Sequence, residues 1–170
     1  WAWLGTISHP IKTDESGFMM PLVKTYILNL PSAHERRAYQ AQQAQQLGLD
    51  VVFMSARTPA DIPEEFFLAH AFAWERPLKI TEVACFMSHH AVWEIIAKGD
   101  APALILEDDA LLSRQTPALL AWLSGMQDLD LVTLETRQRK KLIGLQGLDN
   151  AALQVSLRPL FQDRTGAAAY

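Results

Sequence analysis

Pro102-Ala-Leu-Ile-Leu106 runs straight into Glu107-Asp108-Asp109, and this junction restricts the fold more than any other stretch of the chain. A short apolar run without alternation, framed by turn signals, suits a central strand covered on both faces. A sheet of that kind needs helices on each side, so the run predicts an α/β architecture. Upstream, Lys24-Thr-Tyr-Ile-Leu-Asn-Leu30 is rich in β-branched and aromatic residues up to Pro31 and reads as a buried first strand. Ser32 stands three residues before Glu35, the spacing of a capping box, which predicts a helix over 33–46 stopped by Gly48. Val51-Val-Phe-Met54 follows as a second strand.

Residues 58–79 carry Pro59, Pro63 and Pro77 with an aromatic cluster of Phe66, Phe67, Phe72 and Trp74, and predict a loop-rich segment with about one helical turn. Thr81 is placed to cap a helix with Glu82 in its first turn. Val83, Met87, Ala91 and Ile95 continue it as an apolar stripe to about Lys98, ahead of Gly99. Thr116 as cap and Pro117 in the first turn predict a helix over 116–125, followed by a strand from Leu129 to Leu134. Two weaker strands are expected over 153–160 and 166–170. Strands alternating with helices argue for a Rossmann-like, mostly parallel sheet flanked by helices.

The chain has 170 residues, with 15 Lys+Arg against 19 Asp+Glu, a net charge of −4 that excludes a nucleic-acid binder driven by bulk charge. Its 49% apolar and 20% charged residues match a globular domain rather than a disordered chain. Cys85 is the single cysteine, so no internal disulfide forms and a reducing cytoplasm is the expected compartment. No apolar run approaches the roughly 20 residues of a spanning helix. Residues 1–20 lack both periodicity and a basic n-region, and read as a disordered leader ahead of a domain over 21–170.

Three consecutive carboxylates repel one another at the end of an apolar strand, and a divalent cation relieves that repulsion. Hard oxygen ligands suit Mn²⁺ or Mg²⁺, and the carboxyl end of a central strand is where open α/β sheets bind ligands. A hydrated acidic turn is the plain alternative. Asn29-Leu-Pro-Ser-Ala-His-Glu-Arg-Arg37 joins the first strand to the first helix, where unpaired N–H groups, Arg36 and Arg37 could hold a diphosphate, or form only an exposed charged turn. Cys85 and His89 are four apart on the helix predicted from Thr81, a spacing open to two zinc ligands. With no matching pair elsewhere, packing plus a satisfied histidine is the preferred reading. Neither a Gly-x-Ser-x-Gly elbow nor a glycine-rich phosphate loop occurs. A phosphoryl-accepting receiver domain also clusters acids, but it needs acids from separate strands and a late lysine with no convincing equivalent here.

Taken together, Tyr26-Ile-Leu-Asn-Leu-Pro-Ser-Ala-His-Glu-Arg-Arg37, Glu82-Val-Ala-Cys-Phe-Met-Ser-His89 with Trp93, and Leu106-Glu-Asp-Asp-Ala-Leu-Leu112 resemble glycosyltransferase family 25, in order and in spacing. Leu131-Val-Thr-Leu-Glu-Thr136 and Gly166-Ala-Ala-Ala-Tyr170 resemble two later family segments. The resemblance implies a GT-A-like nucleotide-diphospho-sugar transferase. Such an enzyme moves a hexose, galactose by the resemblance, with inversion, from a UDP-sugar donor to a lipooligosaccharide or lipopolysaccharide acceptor. It further implies Mn²⁺ or Mg²⁺ held by Glu107 and Asp109, and donor contacts from Asn29, Leu30, Arg36, Arg37, Ser55, Ser88, His89 and Asp108. Glu135, at the end of the expected 129–134 strand, is the nominee for general base. Ser55 stands where many relatives carry Asp. Family members continue past the position of Tyr170, so the resemblance also implies a chain cut short in its acceptor half, with a UDP-sugar-binding fragment lacking transfer activity as the alternative. Peripheral contact with the inner face of the cytoplasmic membrane would fall to a basic tail beyond residue 170.

Overall fold

The computed structural model describes residues 11–13, 19–21, 23–72, 76–135, 140–163 and 168–170. Its centre is a three-stranded parallel sheet in the order β4-β3-β5, built from β3 (Lys24–Asn29), β4 (Asp50–Ser55) and β5 (Ala103–Glu107). Ile27 lies opposite Phe53 on one side and Leu106 on the other, so the first strand is the middle one. This is the α/β architecture that the apolar run at 102–106 requires.

Side chains alternate across a strand, and that alternation divides the core. Ile27, Leu104 and Leu106 share one face with Leu120 and Ala110, while Leu28 and Ile105 share the other with Val92. Leu120 comes from α4 (Thr116–Ser124) and Val92 from α3 (Ile80–Ile96), so a helix covers each face. Between β3 and β4 runs α1 (His34–Leu47), which ends on Gly48 at φ 65°, a left-handed conformation that glycine adopts without steric cost. The Leu49 N–H then closes on Ala44 O at 3.0 Å.

Several expectations are corrected. The Ser32–Glu35 capping box does not form: the chain turns at Ala33, whose N–H reaches Leu30 O at 2.9 Å, and Ala33 rather than Ser32 occupies the cap. The segment expected to be loop-rich holds a 3₁₀ turn (Pro59–Asp61) and a two-turn helix, α2 (Glu64–Ala71). There Pro63 starts the helix and Phe66 and Phe67 pack on Ile62, Val83 and Ala84. Trp74 lies outside the described residues. Helix α3 begins at Ile80, and its N-terminal cap is Lys79 rather than Thr81. The Lys79 N–H donates to Glu82 Oε2 at 2.8 Å, and Glu82 also pairs with Arg76.

Leu129 to Leu134 is not a strand. The edge of β5 that it would have joined is occupied by the last residues of the chain: the N–H of Ile105 donates to Tyr170 O at 2.7 Å and that of Glu107 to Ala168 O at 2.9 Å, with an antiparallel bridge between Leu106 and Ala169. Leu134 is left with one bond from its N–H to Ala169 O. Of the expected 166–170 strand, residues 168–170 make an isolated bridge rather than a strand, and residues 166 and 167 lie outside the described residues. The run at 153–160 divides at Pro159 into β8 (Val155–Leu157) and the start of β9 (Leu160–Gln162), which pair with β7 (Leu148–Asn150) and β6 (Leu142–Ile143). Across the expected boundary at residues 20 and 21, Ile11–Thr13 (β1) pairs antiparallel with β2 (Met19–Pro21).

Candidate functional site

The strand that carries the acids also separates them. Glu107 is the last residue of β5 and lies opposite Leu28, which places it on the face that α3 covers. Asp108 falls on the other side, toward α1. It is buried, and its carboxylate is satisfied there: Oδ2 accepts from Asn29 Nδ2 and Oδ1 from Arg36 Nη1, each at 2.8 Å. The backbone of the turn is held from α1 as well. The buried Gln40 amide donates to Asp108 O at 3.2 Å and to Ala110 O at 2.8 Å. Gln43 donates to Ala110 O and accepts the Leu112 N–H at 2.9 Å. A buried amide kept in a helix needs such partners, and here they are the carbonyls of the acidic turn.

On the other face, Glu107 meets two side chains one helical turn apart on α3. Cys85 donates its S–H to Glu107 Oε1 at 3.7 Å, and His89 Nε2 lies 3.4 Å from the same oxygen. His89 is 3% exposed and stacked on Tyr170, with its Nδ1 2.8 Å from the Tyr170 hydroxyl; Trp93 Nε1 donates to that hydroxyl at 2.7 Å. A carboxylate only accepts, so a neutral His89 carries its proton on Nε2 and takes the Tyr170 hydroxyl hydrogen at Nδ1. Burial pushes the Cys85 thiol up to about 11, with the Glu107 charge and hydrogen bond adding to the shift. Burial likewise pushes the Tyr170 phenol up to about 12, against the opposing hydrogen bond from Trp93.

Cys85, His89 and Glu107 border a cleft of about 310 Å³ at the carboxyl ends of the strands, while Trp93 and Tyr170 lie outside its lining. Of the residues singled out in the sequence as candidate site residues, Leu30, Arg36, Cys85, Ser88, His89, Glu107, Asp108 and Asp109 line it. Asn29 stands behind Asp108 and acts through it. Ser88 fixes the opposite wall, because its hydroxyl accepts the Arg57 N–H at 2.8 Å while donating to Ala84 O. Arg37 does not line the cleft; its guanidinium sits over the Phe53 ring, 4.1 Å from the centroid. Ser55 pairs with Asn29 in the sheet register and is also outside the lining. Glu135 is buried, accepts the Ala168 N–H at 3.4 Å, and is not a lining residue. The sequence reading missed Arg57, Thr58 and Thr81 in the wall, and it missed Gln40 beneath the turn. A buried glutamine in an otherwise polar helix gives no periodic signal.

A larger hollow of about 610 Å³ touches Val23, Pro102 and Ala103, at the amino ends of the strands and away from the acids. The smaller cleft therefore combines the features of an α/β ligand site: strand carboxyl ends, convergent polar groups and a bordering helix.

The model of the glycosyltransferase family 25 (LPS biosynthesis protein) family matches residues 22–145. The chain belongs to glycosyltransferase family 25. Among similar proteins of this family 25 chain is the lacto-N-neotetraose biosynthesis glycosyltransferase LgtE of Neisseria meningitidis serogroup B, 31% identical over 130 residues, covering 71% of this chain and 46% of the relative. The lipooligosaccharide biosynthesis protein lic2B of Haemophilus influenzae is 34% identical over 105 residues, 56% of this chain and 37% of the relative. A glycosyltransferase 25 family member of Aedes aegypti is 34% identical over 94 residues, 49% of this chain and 16% of its own length. The family 25 chain thus spans less than half the length of these relatives. Among the described residues no helix is long and apolar enough to cross a membrane.

Proposed function

We propose that this family 25 chain binds a UDP-sugar in the cleft at the β5 exit, within a GT-A-like fold, and contributes to hexosyl transfer onto a lipooligosaccharide or lipopolysaccharide acceptor with inversion. The observation that carries the reading is the division of labour among the acids. Asp108 is spent on Asn29 and Arg36, while Glu107 and Asp109 line the same cleft as Arg36. Two carboxylates lining one cleft supply the hard oxygen ligands that suit a divalent cation, Mn²⁺ or Mg²⁺, held between protein and diphosphate. When bound, the cation would neutralise charge on the departing UDP.

The chain's own residues supply the rest. Arg36, oriented by Asp108, offers a guanidinium edge to a phosphate oxygen. Ser88 holds the Arg57 backbone and so shapes the wall opposite the acids. The resemblance nominates galactose as the sugar and Glu135 as the base that deprotonates the acceptor hydroxyl; the burial of Glu135 outside the cleft weighs against the second role. Glu135→Gln tests the base: donor binding retained with transfer lost supports the assignment, whereas unchanged transfer removes it.

Calorimetry with UDP-galactose, with and without Mn²⁺, tests the donor reading. Binding that needs the cation and is lost in Asp109→Ala is expected; metal-independent binding, or binding unaffected by Asp109→Ala, would overturn it. A transfer assay on the same chain separates turnover from donor binding alone.

A further inference from the structure

The sequence offers Cys85 and His89 as two possible metal ligands one helical turn apart, and the fold brings a third, Glu107, from a strand beginning beyond the end of that helix. One ligand atom from each lies within 4.8 Å of the others. The measured separations are 3.7 Å from Cys85 Sγ to Glu107 Oε1 and 3.4 Å from His89 Nε2 to the same oxygen. Tetrahedral zinc with ordinary bond lengths needs sulfur–oxygen and nitrogen–oxygen edges of about 3.5 Å and about 3.3 Å. Two edges of the coordination polyhedron are therefore already in place without a cation. The outer support matches as well. Metal on His89 Nε2 leaves Nδ1 protonated, and the Tyr170 hydroxyl, itself fixed by Trp93 Nε1, is 2.8 Å away to accept that proton. All three ligands line the cleft, so a fourth position opens onto it.

We propose that Cys85, His89 and Glu107 form a site for a thiophilic divalent cation, Zn²⁺ by its chemistry, distinct from the hard-cation position at Glu107 and Asp109. A thiolate and an imidazole select zinc over manganese or magnesium, whereas carboxylates alone suit manganese and magnesium and lack that selectivity. The two positions share Glu107, so zinc draws that carboxylate toward α3. Binding of zinc does not depend on the donor reading; its consequence, antagonism between zinc and manganese during transfer, rests on that reading.

Cobalt titration of the whole chain tests the site, because Co²⁺ occupies zinc sites and a cysteine ligand produces a sulfur-to-cobalt charge-transfer band. One equivalent of Co²⁺ is expected to raise the band, Zn²⁺ to bleach it, and excess Mn²⁺ to leave it. Cys85→Ser should abolish the band and weaken Zn²⁺ binding at least about tenfold, while Asp109→Asn should leave both unchanged. Independently of any variant, stoichiometric Zn²⁺ should protect the single cysteine from a maleimide. Absence of the band together with absence of protection, or Zn²⁺ affinity unchanged in Cys85→Ser, would overturn the proposal. UDP-galactose binding, measured separately, distinguishes failure here from failure of the donor reading.

Discussion

Asn29 at the end of β3 donates a 2.8 Å hydrogen bond to Asp108 just past the end of β5, 79 residues later. Both residues are buried, so the bond ties the exits of two adjacent strands and fixes where the acidic turn begins. The Arg36 partner is more than half exposed, and its ion pair with Asp108 is correspondingly screened.

Removing the Asp108 carboxylate takes away the shorter of the two bonds that the Asn29 amide donates and leaves it the Ala33 carbonyl at 3.2 Å. Asp108→Ala should therefore lower unfolding free energy by about 2 kcal/mol in urea, chiefly from the loss of that buried charge-assisted bond. Asp108→Asn should cost less. An Asp108→Ala midpoint equal to that of the parent chain would contradict this account.

Leu106 is fully buried at the centre of one core face. Truncation to alanine should cost about 3 kcal/mol, the usual range for a leucine whose surroundings cannot collapse fully. Leu145 is 94% exposed, and Leu145→Ala should stay within about 0.5 kcal/mol. Paired chemical denaturation of the two variants reads the contrast.

Glu82 accepts hydrogen bonds from Arg76 and from the Lys79 N–H, which bring its carboxyl down to about 2 from 4.5. A carboxyl depressed in the folded state contributes stability above its unfolded value and loses that contribution as pH falls through the folded value. The melting-temperature difference between the parent chain and Glu82→Gln should be constant above about pH 5 and shrink steadily on acidification toward pH 2. Because the group is exposed, the difference is small; a gap that widens in acid would refute the sign.

With its thiol pushed up to about 11, Cys85 should react sluggishly with iodoacetamide at neutral pH despite being accessible. The rate should rise about tenfold per pH unit through the alkaline range, following the thiolate fraction. Glu107→Gln removes the neighbouring charge and should accelerate alkylation at pH 8. Equal rates in the two proteins would show that the carboxylate does not govern the thiol.

The parallel core was legible because each of its elements is announced locally. Gly48 marks the end of α1, and the apolar run before Glu107 marks a strand buried on both faces. What was not legible depends on competition between distant segments. Leu129 to Leu134 has the composition of a strand, yet Ala168 to Tyr170 takes the edge it needed. Ser32 and Glu35 have the spacing of a cap, yet the turn from Leu30 to Ala33 moves the helix start past Ser32. At the cleft, the sequence grouped Glu107, Asp108 and Asp109 as one acidic run. The pleat sends the first toward Cys85 and His89 and the second toward Asn29 and Arg36, a separation that becomes visible only once the covering helices are placed.

Gln40 and Gln43 give the acidic turn a scaffold that ordinary strand pairing would not provide. Two amides on one helix dictate the posture of the carboxylates without touching anything that enters the cleft. Shortening either side chain would let the turn drift while every acid stayed in the sequence, so a variant could keep its full signature and still present those oxygens at the wrong angle.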